Sequence, residues 1–193
     1  QTMMEDFPDY LPNTYDGYYL YPEYKTSHLN PEYTRADEVI AGRESRVFKE
    51  AAEVIKAGKL GDKFHAISDA HAEMMIKVAE AIAFNTLGRF ILIVENNGAI
   101  ANMQDDAMVE VVCELGINGP RPMSVGNIPQ FYLGLLVQQV SCEKLLVDAY
   151  YEHSYQKALE AFTLNRLIND AKVARKILDA LIEANKGMWP ELK

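Results

Sequence analysis

The sequence predicts an α+β fold in which several long helices surround a small, mostly antiparallel sheet. Apolar residues recur at intervals of three and four through long stretches either side of the chain's middle. Between them, the wholly apolar run Phe90–Val94 breaks into Asn-Asn-Gly, the mark of a strand followed by a turn. The 193 residues, 49% hydrophobic, suffice for one well-buried core, so a single domain over 1–193 is expected, with an irregular segment at 1–33 and a helical and sheet core at 34–193.

The segment Phe7–Tyr33 holds seven tyrosines and four prolines. Proline interrupts regular structure and tyrosine supplies amphipathic rings, so this stretch reads as irregular chain packed on a partner surface. Thr34 then caps a helix whose first turn carries Asp37 and Glu38, where the helix dipole favours acids. Its apolar positions Ile40, Val47, Phe48, Ala51 and Ile55 keep one face until Gly58. Ser68 or Asp69 caps a second helix, with Ala72, Met75, Ala79 and Ile82 on one face, ending near Gly88.

Strands follow at Phe90–Val94 and Met108–Cys113, with a loop over NMQDDA, a turn at Asn118-Gly119-Pro120 and a third strand near Met123–Val125. From Pro129 to about Asn165 there are almost no helix breakers, which predicts one long helix with Leu135, Leu136, Val140, Leu145, Leu146 and Ala149 on its apolar stripe. A last helix, roughly Asn169 to Asn185, stops before Gly187.

The net charge of −9 and a pI near 5.0 argue against nucleic acid and against an anionic membrane surface as partners. No run approaches the roughly 20 apolar residues of a membrane span, and the start has neither basic nor apolar targeting regions. An acidic cytoplasmic protein is the expectation. Cys113 and Cys142 lack metal-ligand spacing, and a disulfide between them is disfavoured.

No GxGxxG or GxxxxGK[ST] is present to cradle a pyrophosphate. His28, His65, His71 and His153 are scattered, and the acid pairs Asp37-Glu38 and Asp105-Asp106 lie where helix starts and loops collect acids. Arg35 offers a planar fork suited to phosphate or carboxylate. Read by pattern alone, these features stop at an acidic, helix-rich domain with a small sheet.

The segments LPNTYDGYYLYP, TRADEVIAGRE, LIVENNGAIANMQDDAMVEV, NGPRPMSVGNIPQFYLGLLVQQVSCEKL and ANKGMWPEL go further. In this order they resemble the C-terminal half of glycoside hydrolase family 4, above all its 6-phospho-α-glucosidases. The resemblance implies a lactate dehydrogenase C-terminal-like domain, with the N-terminal Rossmann domain outside this chain.

It also implies a bacterial, NAD- and Mn²⁺-dependent enzyme acting on phosphorylated disaccharides such as maltose 6-phosphate. Such an enzyme oxidises the sugar at C3, removes the C2 proton, eliminates the glycosidic oxygen, adds water and reduces C3 again, an exception to two-carboxylate hydrolysis. Tyr15 falls on the family's tyrosine base and Arg35 on a substrate-contacting arginine. A phenol ordinarily ionises near pH ~10, so a base of this kind needs nearby positive charge. The cofactor and metal sites are expected in the missing Rossmann half, none in this chain, and the chain alone is expected to be inactive.

Two other readings stay open at this point: a 6-phospho-β-glucosidase or other family 4 glycosidase, and a non-catalytic oligomerisation module. A homo-oligomer is expected under each, because removing a cofactor domain leaves apolar surface.

Overall fold

The computed structural model describes residues 2–9, 11, 13–59, 70–168 and 170–193. The expected caps Ser68 and Asp69, His65 and the predicted first residue of the last helix, Asn169, lie outside them. Two compact units are distinguished, the first built from Gln1–Pro22, Ile91–Cys113 and Pro122–Lys193, the second from Glu23–Phe90 and Glu114–Arg121.

The leading segment is more regular than its prolines suggest. It forms three five-residue helices, α1 (Thr2–Asp6), α2 (Asp16–Leu20) and α3 (Pro22–Thr26). Pro22 opens α3, the position where its missing N–H costs nothing. Phe7 stacks on Phe131 with ring centroids 5.1 Å apart and planes 11° apart.

In the second unit, Thr34 caps α4 (Arg35–Gly42) through a reciprocal box: its hydroxyl accepts from the Asp37 N–H, and the Asp37 carboxylate accepts from the Thr34 N–H at 2.8 Å. A π-helical turn, Arg43–Phe48, leads into α5 (Lys49–Ala57), which ends as expected on Gly58 in the left-handed region. The predicted apolar stripe forms, but Ile40, Phe48 and Ile55 remain exposed.

Helix α6 (Ala70–Phe84) stops four residues before the predicted Gly88. Asn85 takes φ 54°, a left-handed conformation asparagine tolerates, and its side chain accepts from the Ile117 N–H at 3.0 Å. Gly116 is required beside it, since a Cβ there would lie 2.5 Å from the Asn85 Oδ1.

The sheet has the order β1 (Gly88–Glu95), β2 (Met108–Gly116), β3 (Gly119–Pro122). The predicted third strand is shifted earlier. Ile117-Asn118 makes a two-residue turn and Gly119 takes φ 86°, so the hairpin closes at once and 119–122, not 123–125, pairs. β1 and β2 alternate: Leu92 and Val94 pack on the core with Val109, Val111 and Cys113, while Ile91 and Ile93 stay exposed. A strand apolar on both faces suits a sheet covered on both sides, and in this chain one face is open.

The predicted long helix is two helices, α7 (Gln130–Glu152) and α8 (Tyr155–Leu164). His153 turns left-handed at φ 57° and Ser154 caps α8. The chain's end makes the break affordable: the Lys193 N–H donates to the His153 carbonyl at 2.8 Å, and the Tyr155 N–H donates to the Lys193 carbonyl at 3.0 Å. Helix α9 (Ala171–Ala184) is capped by Asp170, which accepts from the Lys172 and Val173 N–H groups, and buries Leu178 beside Ala149 and Ala158.

Candidate active site

Tyr15 stands at the start of α2, held by its neighbours in sequence. The Asn13 side-chain oxygen accepts from the Tyr15 N–H at 3.0 Å, while the Asp16 carboxylate accepts from the Asn13 N–H at 2.6 Å. This is an asparagine turn closed by an aspartate three residues on. The Tyr15 carbonyl in turn accepts from the Tyr18 N–H at 2.9 Å. The backbone is thereby fixed, while the side chain is 69% exposed.

α2 is fixed at its other end by Arg166, whose Nε donates to the Tyr19 carbonyl at 2.8 Å. Nearby, Tyr21 donates its hydroxyl to Asp6, and that bond to a carboxylate pushes the phenol up to about 12. Tyr21 is thus held in its neutral form and differs in environment from Tyr15.

Arg35 belongs to the second unit, in the first turn of α4. Its guanidinium pairs with Glu38 at 2.5 Å, and its side chain is 78% exposed. Hydrogen bonds from Thr34 hold the Asp37 carboxyl below the usual range, so Asp37 serves the cap. Asp106, from the other acid pair, is bound 2.5 Å from Lys144, which lowers its pKa. Asp37 and Asp106 thus both have structural employment.

Because Lys144 depresses the Asp106 carboxyl in the folded protein, the pair contributes stability above the unfolded carboxyl range, about pH 3.9, and loses it as pH falls through the folded value. Lys144→Met is therefore expected to lower stability slightly at pH 6 and to cost less at pH 3, as read by urea unfolding at both pH values. The effect is small because Asp106 is 71% exposed. An equal loss at both pH values would show that Lys144 acts through packing instead.

A fully buried asparagine organises the loop after β1. Asn96 Oδ1 accepts from the Ile100 N–H at 2.7 Å, and its Nδ2 faces the carbonyls of Ile100, Met103 and Gln104 at 3.0–3.1 Å. Asn102 then clamps Ile128, donating to its carbonyl at 2.9 Å and accepting from its N–H at 3.0 Å. These bonds set the chain's approach to α7. Spacing alone singled out none of Asn13, Asp16, Asn96, Asn102 or Arg166, although Asn13 and Asp16 do have the three-residue offset of a reciprocal cap.

The profile of the family 4 glycosyl hydrolase C-terminal domain matches residues 1–168. The chain belongs to that family. A maltose-6'-phosphate glucosidase of Fusobacterium mortiferum is 53% identical over 187 residues, covering 96% of this chain and 42% of its relative. A crystal structure of a 6-phospho-alpha-glucosidase from gut microorganisms, in complex with NAD and Mn²⁺, is 84% identical with a TM-score of 0.94, covering 100% of this chain and 44% of that one. A second, in complex with NAD and glucose-6-phosphate, is 48% identical with a TM-score of 0.92, covering 100% of this chain and 43% of that one.

This family 4 domain thus spans less than half the length of the relatives it matches. The expected α+β fold, that of the C-terminal half of family 4 enzymes, is established by these likenesses. The 6-phospho-beta glucosidase of Thermotoga maritima, 23% identical with a TM-score of 0.83 over 100% of this chain and 46% of that one, shares the fold.

The described residues offer no cluster for the Mn²⁺ found with the 84% identical 6-phospho-alpha-glucosidase. Among the described residues no three His, Cys, Asp or Glu side chains gather to hold a metal ion. Cys113 and Cys142 are free and buried, and burial pushes both thiols up, away from the thiolate a metal requires. Among the described residues no helix is long and apolar enough to cross a membrane.

Proposed function

We propose that this chain is the C-terminal part of a bacterial 6-phospho-α-glucosidase that hydrolyses phosphorylated α-glucosides such as maltose 6-phosphate in the cytoplasm. The observation that carries the reading is the likeness over the whole chain to solved 6-phospho-alpha-glucosidases. The enzyme works by NAD-dependent oxidation, elimination and addition, with NAD and Mn²⁺ held by residues outside this chain. It is a homo-oligomer.

Within the domain, Tyr15 is the base that takes the proton from C2 of the sugar. Its support is the fixed turn, which holds the backbone through the bond that the Tyr15 N–H donates to the Asn13 side-chain oxygen and leaves the phenol exposed to meet a substrate. General-base catalysis depends on such placement, because the proton must lie within hydrogen-bond reach. Arg35 recognises the sugar's 6-phosphate or an adjacent hydroxyl. Its planar donors match a phosphate in two bonds, and Glu38 holds it until an anion competes.

The test is turnover by the full-length enzyme carrying this chain, supplied with NAD and Mn²⁺. A nitrophenyl 6-phospho-α-glucoside should be the good substrate, its β-anomer and the unphosphorylated α-glucoside poor ones. Arg35→Met should raise KM for the phosphorylated substrate about tenfold or more, the scale of a lost charge-assisted bond, and leave the unphosphorylated one nearly unchanged. Equal turnover of the β-anomer would move the assignment to a 6-phospho-β-glucosidase, and equal turnover without the phosphate would remove the role of Arg35.

A further inference from the structure

We propose that Arg166 is a positioning residue that sets where Tyr15 stands during the reaction. This rests on the reading of Tyr15 as the C2 base. The starting point is that α2, with five residues, is too short to hold its own shape. Its ends must be fixed from outside.

The N-terminal end is fixed locally, by Asn13 and Asp16. That turn sets the local conformation of Tyr15 but says nothing about where the whole segment rests on the domain. The bond from Arg166 Nε to the Tyr19 carbonyl supplies this, across 147 residues of sequence. The carbonyl lies in the last turn of α2, where no intrahelical partner remains for it. A guanidinium satisfies it with a charge-assisted bond.

Arg166 is itself held on a firm mount. Two residues earlier, the Leu164 carbonyl accepts from Gln138 Nε2 at 2.8 Å, tying the end of α8 to α7. Asn165 then closes the turn, its side-chain oxygen accepting from the Leu167 N–H and its carbonyl from the Ile168 N–H, each at 2.9 Å. Asp16, Tyr19, Gln138 and Arg166 share the lining of one cleft. A line of bonds thus runs from α7 through the turn after α8 to α2 and, one helical turn on, to Tyr15.

A base misplaced by about 1 Å costs on the order of 100-fold in rate even when the change lies away from the chemistry. Losing the Arg166 tie should therefore act on proton removal and not on substrate binding. The Phe7 stack on Phe131 holds the segment's far end and does not depend on this tie.

The test uses the full-length enzyme with NAD, Mn²⁺ and a nitrophenyl 6-phospho-α-glucoside, protiated or deuterated at C2. Arg166→Gln is expected to lower kcat by about 10- to 100-fold with KM within about twofold, and to enlarge the C2 deuterium effect on kcat. Arg166→Lys, which keeps a donor and a charge, should recover most of the rate. In a Tyr15→Phe background, Arg166→Gln should cost at most about twofold more, because residues that act as a unit are not additive.

An Arg166→Gln loss that is equal in both backgrounds overturns the proposal, as does a rise in KM with kcat unchanged. Full activity of Arg166→Gln beside an inactive Tyr15→Phe overturns positioning and leaves the base intact. Full activity of Tyr15→Phe alone removes the base reading, and the proposal with it.

Discussion

Tyr15→Phe in the full-length enzyme is expected to lower kcat on a nitrophenyl 6-phospho-α-glucoside by about 10²- to 10⁴-fold, the usual range for removing a general base. The substitution deletes one oxygen and keeps the ring. Both hydrogen bonds that fix this residue, from its N–H to Asn13 and from the Tyr18 N–H to its carbonyl, run through the backbone and survive. The phenol is exposed, so its loss opens no cavity and thermal stability should stay within about 0.5 kcal/mol of wild type, as for other surface changes.

The two readouts together separate chemistry from folding. A large fall in kcat with unchanged melting temperature, unchanged NAD affinity and KM within a few-fold supports the base. Undiminished turnover would end that assignment, and so would a fall in rate that tracks a fall in stability. The neighbouring Tyr21 serves as a control ring from the same segment. It donates to Asp6 and is held neutral, so Tyr21→Phe should affect stability more than turnover.

Periodic and capped elements were legible because each depends on residues a few positions apart. Thr34 with Asp37, Gly58, and the strand starting near Phe90 are cases where local chemistry and the fold agree. The break at His153 is different. The residues around it are acceptable in a helix, and what permits the break is Lys193, which satisfies both the His153 carbonyl and the Tyr155 N–H from 40 positions away. Arg166 was hidden for the same reason, its partner Tyr19 lying far back in the chain. The site residues Tyr15 and Arg35 came from the resemblance to family 4, since an exposed tyrosine among seven carries no chemical mark of its own.

Asn96 shows how little separates a turn residue from a core residue, and its substitution should produce the largest loss of stability. Asn96 and Asn97 are adjacent and read alike, yet Asn97 takes the left-handed turn at φ 40° while Asn96 is completely buried. Asn96→Ala would strand the Ile100 N–H and the Met103 carbonyl, at about 1–3 kcal/mol for a buried group left unpaired. Asn96→Asp has nearly the same shape but turns two donors into an acceptor facing three carbonyls. Its carboxyl must be protonated to fit, so its folded pKa is raised well above the unfolded value of about 3.9. Stability should then be greatest below that value and fall as pH rises toward the folded pKa. At pH 7, Asn96→Asp is expected to be less stable than Asn96→Ala, with the order reversing near pH 4 in urea unfolding. If the aspartate is instead tolerated equally at both pH values, water or a cation reaches the loop, and the buried amide is not what holds residues 96–107 in place.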